Sequence, residues 1–448
     1  MSFIEQIPLI GPLASYIIPF FIVLMVVVFI HEYGHYKVAQ WCGVKSDAFS
    51  IGFGPELFGW QDKRGTRWKL SAIPLGGYVK FRGDADPSSG SVDEEALKQM
   101  TDEERAGSFP AASLPRRAAI VAAGPFFNFV LAAVLFAGIA YSVGVPTDKP
   151  FVDEVEEGSI AEEAGFAVGD RFLAIDGQEI SKFSDLNSAV RASNGKVVTV
   201  DVERGGDTVT LPFTFTPPMT IEAVRTDGAA AAAGIEAGDI LLSLDGEKII
   251  SFEGLRETVM ESRGKPIAVT LDRDGEILDV SLTAEMREIR DENNNIVTRY
   301  FIGVTHVSSL GMFPPLENAS LLESGKTGVT QTWGVLSGTV FFLYELFAGR
   351  GDVGDLGGPI RIAEFSGEAA QQGTSSLIYL MAVLSASIGL INLFPIPVLD
   401  GGHLLFYAIE AVRGKPMNER VQEIGLTIGF ALIVSLMLFA TYQDVGRL

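Results

Sequence analysis

The sequence predicts a polytopic α-helical membrane protein. It has four transmembrane helices, a membrane-associated β-hairpin region and two extracytoplasmic α+β domains of one kind. Three observations predict this. Four apolar stretches reach the ~20 residues needed to cross a bilayer. One pattern of small domains occurs twice, 69 residues apart. A metal-ligand spelling, "HEYGH" (residues 31–35), stands at the end of the first apolar stretch.

Composition supports the class. The chain has 448 residues, 47% of them hydrophobic, and a mean hydropathy of +0.28, too apolar for an ordinary soluble chain of this length. The formal net charge of −22 argues against a nucleic-acid binder, because phosphates require Lys and Arg. The single cysteine, Cys42, excludes an intramolecular disulfide and a cysteine-based zinc cluster, and it reads as inert.

The spans run from about Ile10 to Ile30, Ala118 to Val145, Ser376 to Leu399 and Ile424 to Tyr442. No basic segment precedes the first, and no small-residue cleavage site follows it, so it reads as retained rather than as a signal peptide. Lys63, Arg64, Arg67 and Lys69 follow span one, Arg116 and Arg117 enter span two, and Arg413, Lys415 and Arg420 separate spans three and four. Positive loops stay inside. Both termini and residues 146–375 are therefore expected outside, with the loops after spans one and three cytoplasmic. A fifth apolar stretch, Thr332 to Gly349, would reverse span three if it crossed, so it reads as an interfacial helix. The expected divisions are 1–40, 41–115, 116–145, 146–217, 218–287, 288–375, 376–400, 401–423 and 424–448.

The repeat lies in the outer region. "AEEAGFAVGDRFLAIDGQEI" (161–180) matches "AAAAGIEAGDILLSLDGEKI" (230–249), with Gly165 on Gly234, Asp170 on Asp239 and Asp176-Gly177 on Asp245-Gly246. Two copies of one small domain follow. Each reads as a loop, a short strand and a tight turn. The pattern resembles the bacterial form of PDZ domains, which capture extended peptides by adding a strand to a sheet edge. Asp170 and Asp239 read as turn residues rather than ligands.

The chemistry lies at the spans. His31 and His35, four apart, share one helix face and are placed to bind one metal. Glu32 stands beside the first and is placed to take a proton from water activated there. Ionisable side chains at membrane depth are costly without partners. A third ligand is required, with one position left open. His306 lies on the wrong side. Asp400 and His403, in "NLFPIPVLDGGH", both lie at the cytoplasmic end of span three, the same depth as the histidine pair. Either is chemically able to ligate. Asp400 is a hard, charged ligand next to Gly401-Gly402, where the backbone is free to bend.

Four segments carry a family resemblance: "HEYGH", "FSIGFGP" (49–55), "IPLGGYVKF" (73–81) and "NLFPIPVLDGG" (392–402). They resemble the bacterial site-2 proteases, intramembrane zinc metalloproteases, and the tandem PDZ insert between spans two and three resembles the sigma-E-regulating type. The resemblance implies zinc as cofactor, His31, His35 and Asp400 as its ligands, and Glu32 as catalytic base. It implies a substrate-binding role for Asn392, with Pro395 and Pro397 breaking the helix beside it. "RWKLSAIPLGGYVKF" reads as a hairpin turning at Gly76-Gly77. With Tyr78, its edge is expected to pair with extended substrate. Gly124, Pro125 and Asn128 match a further motif, read as structural packing against the catalytic helix. The implied partners are the lipid bilayer and single-span membrane proteins, such as a trimmed anti-sigma factor or signal-peptide remnants. The implied location is the bacterial inner membrane, with the PDZ pair gating access. The alternative from another class is a non-enzymatic PDZ membrane scaffold.

Overall fold

The computed structural model describes residues 10–84, 100–156, 159–183, 185–186, 189, 196–214, 219–225, 228–249, 252–273, 275–290, 296–307, 312–313, 316–348, 357–415 and 417–445. The acidic part of the first loop, 85–99, lies outside the described residues, as does the expected domain boundary at 217/218.

The Ile, Val and Phe run after Ile10 has no side chain able to satisfy a bare backbone in lipid, so the chain satisfies itself as a helix. That helix is α1 (Ile10–Trp41). Strands β1 (Ser46–Gln61) and β2 (Arg67–Phe81) follow, then α2 (Leu114–Ser142). Gly34 on α1 lets the two helices touch: a Cβ there would lie 2.5 Å from the Ala123 carbonyl oxygen.

The β region corrects one expectation. The hairpin turn is at residues 62–66, not at Gly76-Gly77, which lie inside β2. Asp62 closes that turn, accepting from Arg64 N (2.8 Å) and Thr66 N (3.0 Å) and from Tyr36 Oη (2.7 Å) and Trp68 Nε1 (3.1 Å). Burial pushes its carboxyl up, but these donors outweigh burial and hold it at about 2. The chain does bend near Gly76 (φ +87°). The arms on either side of the bend flank β1 instead of pairing with each other: Phe49 faces both Trp68 and Val79, and Ile51 faces both Leu70 and Gly77. Alternation within one segment reveals a reversal but not which strand inserts between its arms.

The region after α2 contains β3 (Val145–Pro146), β4 (Glu154–Val155), β5 (Arg171–Ile175), β6 (Gln178–Glu179), β7 (Val197–Arg204) and β8 (Asp207–Thr214). After these come β9 (Met219–Val224), β10 (Ile240–Leu244), β11 (Glu247–Lys248), α3 (Phe252–Ser262), β12 (Pro266–Arg273) and β13 (Glu276–Thr283). Strands β5, β7 and β8 recur 69 residues later as β10, β12 and β13. Two sheets result, one ordered β6-β5-β7-β8 and the other β13-β12-β10-β9, the second extended by β11 beside β10 and by a further strand beyond β9. Each has its own core, around Phe172 and Val200 in one and Ile221 and Leu271 in the other.

Asp170 and Asp239 do more than turn the chain. Both are buried, and each takes two hydrogen bonds of 2.7–2.8 Å from an arginine 34 residues on, Arg204 or Arg273. The same arginines also donate to the Gly165 and Gly234 carbonyls (2.7 Å). The clasp closes the loop of each repeat unit onto its sheet.

Strands β14 (Glu285–Arg290) and β15 (Ile296–Phe301) form a two-stranded ladder, and β16 (Val304–Val307), β17 (Met312–Phe313) and β18 (Leu316–Glu317) lead back to the helices. These are α4 (Leu321–Phe347), α5 (Pro359–Gln372), α6 (Thr374–Asn392), α7 (Asp400–Arg413) and α8 (Glu419–Val445). Among the described residues, four helices are long and apolar enough to cross a membrane: Ala14–Trp41, Leu114–Ser142, Thr374–Asn392 and Arg420–Val445. The fifth apolar stretch falls in α4, which is not one of them. It packs along α2 and α6, with Val335 and Leu336 against Ala132, Phe136, Ala382 and Ala386. Helix α5 has no expected counterpart. Its N-terminus is capped from α8: the buried Asp444 accepts from Gly358, Ile360 and Arg361 N at 3.0–3.2 Å.

Candidate active site

Helical spacing sets His31, Glu32 and His35 at the end of α1 nearest the β region. The buried His35 donates from Nδ1 to the Ile120 carbonyl on α2 (2.9 Å), which leaves its Nε2 as a bare acceptor. That atom lies 3.2 Å from His31 Nε2. Asp400, first residue of α7, brings its carboxylate to both: Oδ2 is 3.1 Å from His31 Nε2 and Oδ1 is 3.5 Å from His35 Nε2.

These residues fit a zinc ion. Four ligands at 2.0–2.1 Å in a tetrahedron stand about 3.3 Å from one another, and the three observed separations bracket that value. Two imidazole lone pairs aimed together repel unless a cation lies between them. Asp400 Oδ2 is buried without a hydrogen-bond partner, a group a cation would satisfy.

His403, the other candidate, sits one turn along α7. It lines the same cavity, with its ring 6.4 Å from that of Phe406, and stands outside the converging set. Gly401 and Gly402 are not a bend. They lie in the first turn of α7, where side chains would strike the carbonyls of Leu393, Phe394 and Ile396. Their role is to let the 393–397 segment press on the helix that carries Asp400.

Helix α2 contributes more than packing. A Cβ on Gly124 would collide with His35 Nε2 and lie 2.8 Å from His31 Nε2. Asn128, fully buried one turn on, places Nδ2 3.3 Å from His31 Nδ1, while its Oδ1 has no partner. Arg117 on α2 pairs with Glu410 on α7 (2.6 Å), tying the histidines' support to the aspartate's helix. The signal for the first two was legible: residues 124 and 128 share a face, and an Asn in an apolar helix needs a partner.

A cavity of about 600 Å³ opens beside the site. Glu32, Phe53, Gly76, Gly77, Tyr78 and Asn392 line it together with the three converging residues. Gly77 presses on Glu32: a Cβ there would lie 3.1 Å from Glu32 Cγ and 2.8 Å from the Ser50 carbonyl oxygen. Asp84 lines it too, and burial lifts its carboxyl to about 7. Pro395 and Pro397 do not line the cavity. They occupy the turn between α6 and α7, and Pro397 packs against Gly425 and Gly429 of α8.

Two histidines and an aspartate beside a glutamate, set among apolar helices, define a membrane zinc metalloprotease. The chain belongs to the site-2 proteases: the description "Peptidase family M50" matches residues 19–436. It is 42% identical over 438 residues to "Putative zinc metalloprotease Atu1380" of Agrobacterium fabrum, covering 98% of this chain and 97% of that one. It is 33% identical over 458 residues to "Regulator of sigma-E protease RseP" of Salmonella typhimurium, covering 96% and 98%. Among solved structures, the PDZ domain of an SdrC-like protein from Listeria monocytogenes aligns over 21% of this chain and 92% of that one, with 18% identity and a TM-score of 0.17.

Proposed function

We propose that this zinc metalloprotease cuts peptide bonds inside the membrane spans of single-span proteins, with His31, His35 and Asp400 holding zinc and Glu32 as catalytic base. The observation that carries the reading is the convergence of three donors, 3.1–3.5 Å apart, beside Glu32 on a cavity wall. Bound zinc supplies Lewis acidity at the carbonyl and acidifies water. Glu32 takes a proton from water as the new C–O bond forms and returns it to the leaving nitrogen, so one peptide and one water give a carboxylate and an amine.

A helix in lipid hides its peptide bonds, so the substrate must unwind locally within protein walls. Gly76, Gly77 and Tyr78 lie on the cavity as a backbone edge for that strand, and Asn392 as a hydrogen-bonding side chain. Pro395 and Pro397 act at one remove, by ending α6 and shaping the approach to Asp400.

The orientation that follows puts both termini and both repeat units outside the bacterial inner membrane, with the site near the cytoplasmic face. The units act as PDZ-like gates that pass trimmed anti-sigma factors or signal-peptide remnants and exclude bulky outer domains. The domain divisions given above serve this arrangement.

The test is cleavage of a single-span substrate by purified protein in detergent, with bound zinc counted in the same samples. Glu32→Gln should keep its zinc and lose activity by about 10²–10⁴-fold. Undiminished cutting by that variant would sink the assignment. A folded natural chain that neither cuts nor holds zinc would favour the scaffold.

A further inference from the structure

The cavity continues past the converging donors as a second arm. On α7 it is lined by Asp400, His403 and Tyr407, spaced so that they share one helix face. That length of helix rises about 10 Å. On the facing wall it is lined by Gly77, Val79 and Phe81, alternate residues of β2 that begin where Gly77 meets Glu32. Both walls lead to Asp84, which lines the cavity just beyond the end of β2. The charge of Asp84 acts on the Tyr407 hydroxyl, so the two stand together at the far end of the arm.

The cations around Asp84 are committed elsewhere. Arg82 donates twice to Asp47, at 3.0 and 3.1 Å. Arg117 pairs with Glu410 (2.6 Å), and its guanidinium stands 5.0 Å from the centre of the Tyr407 ring. Lys80 acts on Asp84 only through space. Among the described residues, the carboxyl of Asp84 takes a hydrogen bond from the Phe81 backbone and forms no ion pair. A carboxylate buried in this way needs a cation or a proton, and burial lifts this one to about 7. The walls leading to it are apolar: Phe81 and Phe109 stack there with ring centres 5.0 Å apart.

An arm with apolar sides and a carboxylate at its end matches a long aliphatic stem with a charged tip. Single-span proteins carry Lys and Arg where their spans meet the cytoplasm. A rise of about 10 Å is the length of roughly three residues of extended chain. We propose that Asp84 determines specificity: it receives a Lys or Arg side chain that the substrate carries about three residues from the cut bond, on its cytoplasmic side. The stem of that side chain lies along Phe81 and Phe109, and its charge replaces the cation that the fold does not supply. This rests on the intramembrane protease reading and its orientation. It narrows the substrates to spans whose basic flank begins within reach of the cut.

The test walks one lysine along a single-span substrate cut by the full-length protein in detergent. The cytoplasmic flank is otherwise neutral, with Gln at every other flank position. With Lys at about the third position from the cut, kcat/KM should peak about tenfold above the all-Gln substrate, the gain of one charge-assisted hydrogen bond, and the gain should lie in KM. Asp84→Asn should erase the peak and Asp84→Glu should keep it. Asp84→Lys should transfer it to a substrate with Glu at that position. A flat profile from the natural protein would overturn the inference. So would a lysine peak that survives Asp84→Asn. An equal fall on Lys and Gln substrates would also overturn it, by assigning Asp84 to the hydrolytic step or to the fold. Bound zinc is counted in every sample. Cutting of the all-Gln substrate by the natural chain and not by Glu32→Gln tests the protease reading separately, so a flat profile with that cutting intact sinks the subsite alone.

Discussion

The side-chain amide of Asn128 lies 3.3 Å from Nδ1 of His31, and its oxygen is buried without a hydrogen-bond partner. The two facts resolve together. A histidine that offers Nε2 to a metal carries its proton on Nδ1 and needs an acceptor there. Turning the amide end for end supplies that acceptor and satisfies the orphaned oxygen.

Asn128→Leu should therefore weaken zinc affinity by about 10–100-fold, the usual cost of losing such an outer partner. Asn128→Asp, which retains an acceptor, should lose much less. Competition with a chromophoric chelator measures both. Equal losses would assign Asn128 to packing alone.

Gly124→Ala should abolish zinc binding, because its methyl would occupy the space in front of both Nε2 atoms. Gly138→Ala, on the same helix with open space around it, should bind zinc normally and gain about 0.5–1 kcal/mol of helix stability. Metal analysis and thermal melting of the pair separate a blocked site from a damaged helix.

Arg273→Ala should destabilise the second repeat unit by about 3 kcal/mol, the low end for stranding a buried charge, since Arg273 is itself partly exposed. Hydrogen bonds from Arg273 chiefly hold the Asp239 carboxyl below its ordinary range. A depressed folded pKa gives stability that is full above the unfolded value, near 3.8, and is lost as pH falls below it. Calorimetry of the full chain from pH 6 to pH 3 should show this loss in the natural protein and a shallower one in Asp239→Asn.

Asp444→Ala should cost about 1–2 kcal/mol, the value of an N-cap, and hydrogen exchange should rise at Gly358, Ile360 and Arg361. Unchanged protection there would mean that α5 needs no cap from α8.

Much of this protein was legible locally. A bilayer-length apolar run, a four-residue spacing of histidines and a 69-residue repeat all lie in contiguous chain, where periodicity and recurrence suffice. Four long apolar helices, the spelling at the end of α1 and the duplicated strands follow from that alone. Relations between distant segments are not encoded in any local period. Asp400 and His403 both ligate metals as residue types, and only the packing of α7 against α2 brings the aspartate to the imidazoles. Gly124 reads as a small residue in any helix until both Nε2 atoms are seen in front of it. The bend at Gly76 is visible in sequence, but which strand lies between its arms is not. Strand β16 illustrates the same limit: Val304–Val307 is a short strand wherever it lies, and only its long-range register places it beside β9.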